Sequence, residues 1–324
     1  MISQNKTIKK VFFLFGLILS IGSLTYILMD TPFSEFKEYL IQVDPIYFIV
    51  SVLINILGYF IHAKRWSYLF EVKYPLMPFY HAITIGNLAN TILPSKSGEF
   101  IRPLILKNQL DVPYAKALGN CFIERVFDIF FGVTILVYSI YSLNLLNEFA
   151  VFKAGIIITL AAAIIFILLI IFLDKHKRER VIKVKIINQF ITQLQIQSNS
   201  LIKSKRLVRV LSTTLLFWVA GVFINYFLLL ASPLPLTVQT LGFAAFLGSA
   251  MGITLSLPSA PANIGVYNLT VILLVKMYLS QKGIQIDQVL EAKIVASSII
   301  IHLGSITPDF IMGTISYFRV SKPN

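Results

Sequence analysis

Charge is scarce in this sequence. Asp, Glu, Lys and Arg make up 13% of the 324 residues, against 56% hydrophobic side chains. Soluble domains carry roughly 25% charged residues, so a water-soluble globule is excluded and a chain that crosses a bilayer several times fits. Acid is the scarcer sign, with 15 Asp and Glu against 28 Lys and Arg, a net charge of +13. A surplus of that size invites a nucleic-acid reading. Its distribution speaks against one, because the basic residues lie between apolar blocks, where anionic headgroups would meet them. Cysteine is nearly absent. The lone Cys121 excludes an internal disulfide and any cysteine-rich metal site, and reads as a small core residue. His62, His81 and His176 read as interfacial or loop residues, and no pair has metal-ligand spacing. Enzyme signatures are missing too: there is no Walker A loop, no G-x-S-x-G elbow, no H-E-x-x-H and no G-x-G-x-x-G. No ATP-driven pump, metal or cofactor is implied, and no catalytic residue is nominated. A membrane-embedded transferase built on scattered carboxylates stays open.

What the chain has is apolar runs of spanning length, over Val11–Met29, Ile46–Ala63, Asn120–Tyr141, Ala154–Leu173, Val210–Ala231 and Lys293–Phe318. The first follows Lys6, Lys9 and Lys10 like a signal peptide, but its 19 residues exceed the roughly 7–15 of a signal core. It is read as an uncleaved helix. Two further apolar regions are broken, Pro78–Leu106 and Thr237–Leu279. Between Lys175 and Arg209, ten Lys and Arg alternate with Ile, Val, Leu and Phe. Amphipathic helices on a membrane surface, or a plain cytoplasmic linker, would look like this.

Lys and Arg favour the cytoplasmic side of short loops. Loops of one parity, with the termini, hold 18 of them, and loops of the other hold three (Lys37, Lys153 and Lys282). Both termini are therefore expected in the cytoplasm. Each broken region then returns to the side it left, the first from the cytoplasm and the second from outside. The expected fold is an all-α polytopic membrane protein in the cell membrane, one domain over 1–324. It has about six full spans plus two re-entrant or broken hairpins in an inverted-repeat arrangement. A basic cytoplasmic connection over 174–209 would join the halves.

The interruptions carry the polar residues. Lipid cannot satisfy freed backbone groups, so non-helical chain at membrane depth must be buried in protein or line a wet cavity. Matched breaks in two halves point to a binding site. The first reads Leu93-Pro94-Ser95-Lys96-Ser97-Gly98-Glu99 and continues to Arg102. Pro94 ends the incoming helix, Ser95 or Ser97 can cap the next, and its N-terminus beside Lys96 and Arg102 suits a phosphate. Glu99 could orient Arg102 or Arg125, or carry a coupling proton. Glu124-Arg125-Val126-Phe127-Asp128 follows in an apolar segment, with Glu124 and Asp128 on one helix face. Intramembrane ionisable residues by default mark function, but a structural salt-bridge cluster near the headgroups remains the alternative. The second interruption offers Pro258, Ser259, Pro261 and Asn263 without charge, with Asn263 as an N-cap. Gly248 and Gly252 read as a small-xxx-small packing face. In the last span, His302 and Asp309 share nearly one face, either lining the pathway or packing as a polar pair.

At these residues the chain resembles the lysylphosphatidylglycerol synthase transmembrane family, also called the flippase-like domain family. A Leu-Pro-x-x-x-Gly-Glu turn is matched by Leu93, Pro94, Gly98 and Glu99, with Arg102 as the following basic residue. A Glu-Arg-x-x-Asp helix is matched by Glu124, Arg125 and Asp128, and a Pro-x-x-Pro turn leading to Gly by Pro258, Pro261 and Gly265. Where the family often has a Gly pair after the second Pro, this chain has Ala262-Asn263. The resemblance implies a membrane domain that moves a lipid or lipid-linked headgroup across the bilayer. Well-known members carry a following aminoacyl-transferase domain, which this sequence does not show, so lipid aminoacylation is not expected of it. The expected ligand is an anionic phospholipid or a polyprenyl-phosphate-linked glycan. Lys96 and Arg102 would meet the phosphate, Glu99, Glu124, Arg125 and Asp128 would tune the site, and Pro258 to Asn263 would close it from outside. A lipid or glycan transferase, or a non-transporting accessory subunit of an envelope synthase, are the rival readings. A homo-oligomer or an envelope-biosynthesis partner is compatible with all three.

Overall fold

Asp44-Pro45 is a helix-start signal. In the computed structural model the Asp44 carboxylate accepts from the N–H groups of Ile46 and Tyr47, at 2.8 and 3.3 Å. Pro45 takes the first helical position, where its missing N–H costs nothing. The structure describes residues 21, 22, 25, 33–93, 97–145, 185–202, 204–254 and 260–321. Among them are ten α-helices, one short 3-10 turn and no strand. A short α1 (Phe33–Ile41) precedes α2 (Pro45–Tyr68). The first broken region is α3 (Leu76–Ile92) and α4 (Gly98–Leu110), followed by α5 (Tyr114–Ser142). Next come α6 (Lys185–Ile202) and α7 (Arg206–Ala231). The second broken region is α8 (Leu241–Thr254), the turn Pro261–Asn263 and α9 (Val266–Gln281), and α10 (Gln288–Val320) ends the series.

Among the described residues, three unbroken helices are long and apolar enough to cross a membrane, α2, α7 and α10, and a fourth segment, Pro261–Gln281, reaches that length only with its opening turn. The expected spans at 46–63, 120–141, 210–231 and 293–318 fall inside α2, α5, α7 and α10. Those at 11–29 and 154–173 lie outside the described residues, as does most of the basic stretch before Lys185. The described helix of that connection, α6, packs on α5, with Leu194 beside Gly119 and Phe190 edge-on to Phe122.

Helix length separates the broken regions from the spans. At 1.5 Å per residue, α3 and α4 are about 26 and 20 Å long, and α8 and α9 about 21 and 24 Å. The helices α3, α4 and α9, and the described length of α8, fall short of a hydrocarbon core roughly 30 Å thick. The stretch Pro261–Gln281 counts as long enough only if its first residues are helical, and Ala262, at φ 55° and ψ 10°, is not. The first arm of the second region, expected over Thr237–Leu257, is helical from Leu241 to Thr254.

Two apolar cores hold these pieces. One joins α2, α3, α4 and the start of α5 around Trp66, Phe79, Ile83 and Leu106. The other joins α7, α8, α9 and α10 to the end of α5 around Phe243, Phe246, Val275 and Ile301. The small-residue face packs as its spacing suggests: Gly248 faces Asn225 of α7 and Gly252 faces Trp218. The longest element, α10, lies against α3, α1, α9 and α2, and so bridges the two cores.

Candidate functional site

Proline sets the first interruption. Leu93, just before Pro94, is extended at φ −101° and ψ 147°, because proline's ring disfavours the helical conformation of its predecessor. Helix α4 restarts with Ser97 at its N-cap position. The Gly98 N–H, an orphan donor of that first turn, is taken by the Asn90 side chain at 2.8 Å. Glycine is required there, since a β-carbon at 98 would overlap the Gly86 carbonyl oxygen. That close approach lays α4 along α3 and aims Arg102 inward, its side chain 2% exposed.

Around Arg102 the ionised side chains of α2, α4 and α5 close into a ring of alternating charge. Arg65 of α2 reaches Glu124 at 2.5 Å, and Glu124 reaches Arg102 at 3.1 Å. Arg102 meets Glu99 at 3.4 Å, and Glu99 meets Arg125 at 2.6 Å. Arg125 meets Asp128 at 3.2 Å, and Asp128 returns to Arg65 at 2.5 Å. His62 bonds the same Glu124 oxygen as Arg65. Three guanidiniums and three carboxylates therefore cancel, each with two opposite partners. Buried charge survives in such pairing and is costly without it. Aromatic rings floor the ring of charge, with Arg102 over Trp66 at 4.6 Å and Arg65 over Phe217 at 4.7 Å. Both amide atoms of Asn120, one turn before Glu124, are buried without a hydrogen-bond partner among the described residues.

The second interruption is wound against handedness. Ala262 and Asn263 both have left-handed φ, 55° and 56°, and Gly265 has 82°. Asn263, expected as the N-cap of the outgoing arm, lies in the turn instead. Gly265 is the cap, its N–H 3.4 Å from the Asn268 side-chain oxygen. These successive positions are where the resembled family's Gly pair would relax the chain. His302 of α10 fixes the turn by donating to the Ala262 carbonyl at 2.8 Å, while its ring stacks on Tyr267 at 4.3 Å. Asp309 takes other partners: it accepts from the Tyr59 hydroxyl at 2.5 Å and from Thr91 at 3.1 Å. His302 serves the second tip, and Asp309 joins α10 to α2 and to the end of α3.

Between the tips lies a cavity of about 450 Å³. The first hairpin contributes Asn87, Asn90, Thr91 and Glu99 to its wall, and the second turn contributes Ala262 and Asn263. Helix α2 adds Asn55, Tyr59 and His62, α7 adds Phe217, and α10 adds Ser305 and Asp309. Of the charge ring, Glu99 and Arg125 reach the lining. Arg65, Arg102 and Glu124, each about 1% exposed, stand behind it. Pro261 belongs to the turn that carries Ala262. Ser95, Lys96, Pro258 and Ser259 lie outside the described residues. His62, expected at an interface or in a loop, is a buried side chain inside α2, and so is Arg65, two residues past the expected end of that span at Ala63. Among the described residues, no group of His, Cys, Asp and Glu could hold a metal ion.

Residues 13–306 match the family described as the lysylphosphatidylglycerol synthase TM region. The chain belongs to that family, and a membrane location and a lipid-related role follow from it. No curated protein and no solved structure matches it.

Proposed function

From that membership, we propose that the chain moves an anionic lipid or a lipid-linked glycan between the leaflets of the cell membrane. The observation that carries this reading is the meeting of the two interruptions, one from each half of the chain, at a single polar cavity. On this reading α3–α4 and α8–α9 are re-entrant hairpins entering from opposite faces, with both termini and the 174–209 connection in the cytoplasm. The headgroup crosses through the cavity while the acyl chains stay in lipid. Its phosphate meets Lys96 and Arg125, and the buried Arg102 holds Glu99 and Glu124 in place. Pro258 to Asn263 form an uncharged outer gate.

The test is translocation of headgroup-labelled lipid in vesicles that contain the purified chain, read by quenching of the outer leaflet. Expected is transfer by the wild type and loss in Glu99→Gln and Arg125→Gln, with thermal unfolding nearly unchanged. Both residues sit at the lined edge of the charge ring, and Arg125 is 45% exposed. Wild-type rates in both variants, or equal rates in protein-free vesicles, would sink the proposal.

A further inference from the structure

His62 touches two environments at once. Its ring lines the cavity beside Phe217, with 5.1 Å between ring centres, while Nε2 meets the buried Glu124 carboxylate. That carboxylate also accepts from Arg65 and Arg102, so it is ionised and can only accept. Nε2 therefore carries a hydrogen and donates it. In the neutral ring the lone pair then belongs to Nδ1. Nδ1 has no hydrogen-bond partner among the described residues, yet it is not sealed from solvent as the partnerless Nε atoms of Arg65 and Arg102 are. A carboxylate on one nitrogen fixes the tautomer whose other nitrogen takes a proton, and it stabilises the imidazolium that results. We propose that His62 carries a proton with the transported lipid: an anionic headgroup entering the cavity brings one proton onto Nδ1, and both leave together.

Charge and neighbours single out this nitrogen. The ring of guanidiniums and carboxylates cancels within itself, so it offers an entering phosphate no net positive charge. A proton taken up beside the phosphate supplies one. The other acids of the wall are poorer places for it. Protonating Glu99 would leave Arg102 and Arg125 short of a partner. Protonating Asp309 would weaken the bonds it accepts from Tyr59 and Thr91. His62 gains its charge without breaking a bond. Closest to it stand Arg65 on its own helix, Arg102 and Glu99 of α4, and Glu124 of α5. Across the cavity are Tyr59 of α2, Arg125 of α5 and Asp309 of α10, while α7 brings Phe217 and α3 only uncharged side chains. Arg65 and Arg102 oppose an imidazolium, and Glu124 and Glu99 favour it, so one further anion decides the balance. Imidazole is the side chain whose ordinary titration lies near neutral pH. By reciprocity, the proton then tightens the headgroup by the same factor as the headgroup tightens the proton.

The inference rests on the translocation reading for the lipid and adds the proton, and its test separates the two. The full chain, with nitrogen-15-labelled histidine, is placed in nanodiscs of phosphatidylcholine alone, or with phosphatidylglycerol or a polyprenyl monophosphate added. The Nδ1 resonance of His62, assigned by its loss in His62→Gln, is followed against pH. Expected with one of the anionic lipids is a midpoint higher by about one pH unit or more, about a tenfold gain in proton affinity. That shift should exceed any at His81 and His302, which report the surface charge of the disc. The lipid that acts tells a diacyl from a polyprenyl source. A labelled form of it is then followed in vesicles across a gradient of about one pH unit. The wild type should gather it in the alkaline-facing leaflet, up to about tenfold over protein-free vesicles, as one proton per headgroup requires. His62→Gln keeps an amide for Glu124 but cannot take the proton, and should lose the response to the gradient. Equal shifts at His62, His81 and His302, or wild-type transfer that ignores the gradient, overturn the inference and leave the translocation reading standing. A selective shift at His62 without transfer supports the proton site and removes the transport reading instead.

Discussion

The guanidinium of Arg65 grips the carboxylate of Asp128 with both terminal nitrogens, at 2.5 and 3.2 Å. One of those nitrogens also holds Glu124. Arg65 is 1% exposed and lies on the Phe217 ring, so α2, α5 and α7 meet at one side chain.

Arg65→Leu should therefore cost about 3–5 kcal/mol, the usual penalty for leaving buried carboxylates without their cation. Arg65→Lys should recover little, because an ammonium cannot span two carboxylates as a planar fork does. Thermal unfolding in detergent checks both, and a lysine variant as stable as wild type would remove the two-pronged geometry from the explanation.

Residue types and spacing made the breaks at Pro94 and Pro261 legible, and with them the face shared by Glu124 and Asp128. None of these suits a helix that faces lipid. Arg65 was not legible as a core residue. Hydropathy ends the span at Ala63, and Lys64-Arg65 then reads as a headgroup-facing loop, yet the helix runs on to Tyr68. The signal that could have found it is helical spacing: Tyr59, His62, Arg65 and Trp66 recur at three and four residues, and all are buried. The convergence of Asn55, Asn87, Asn90 and Asn263 on one cavity had no local signal, because it depends on how separate segments pack.

The left-handed turn at 262 gives a prediction of opposite sign. An alanine at φ 55° carries a steric cost that glycine avoids, roughly 1–2 kcal/mol in that region. Glycine is also more mobile in the unfolded chain, which offsets part of the gain. Ala262→Gly should stabilise the protein by up to about 1 kcal/mol, and Ala262→Val should destabilise it, both read by thermal unfolding.

Tyr59→Phe removes a hydroxyl that donates to Asp309. A part-buried hydrogen bond to a charged acceptor contributes roughly 1.5–3 kcal/mol. The loss should fall on transport, since Asp309 and Tyr59 both line the cavity. The expected outcome is a translocation rate lowered more than tenfold, with an unfolding temperature within a few degrees of wild type. Unaltered transport would leave the tie between α2 and α10 a purely structural one.

Glu71 lies between α2 and α3, outside the spans. A hydrogen bond from Ser200 holds its carboxyl below the ordinary 4.5, with Lys116 assisting. Its contribution is thus present above that ordinary value and fades as pH falls through the lowered one. The side chain is 45% exposed, so solvent screening keeps the effect small. Glu71→Gln should slightly lower the unfolding temperature at pH 7 and match wild type in strong acid.

The two glycines of the first hairpin separate backbone packing from the charge ring. A β-carbon at Gly98 meets backbone, the Gly86 carbonyl, as well as the Asn90 side-chain oxygen at 2.7 Å, and a carbonyl can move only with its helix. Gly98→Ala should therefore force α3 and α4 apart and cost more than the roughly 1–3 kcal/mol typical of overpacking. A β-carbon at Gly86 meets first the Arg102 side chain, Cγ at 2.5 Å and Cδ at 3.0 Å, and only then backbone, the Gly98 carbonyl oxygen at 3.2 Å. Part of that side chain can shift, so Gly86→Ala should fold with a smaller loss. Shifting Arg102 pulls it from Glu124 and Glu99, its partners at 3.1 and 3.4 Å. The milder variant should then lose transport out of proportion to its stability, while Gly98→Ala loses both together. Paired measurement of unfolding temperature and translocation distinguishes them, and equal behaviour of the two would mean that Arg102 is not the link between the hairpin and the ring.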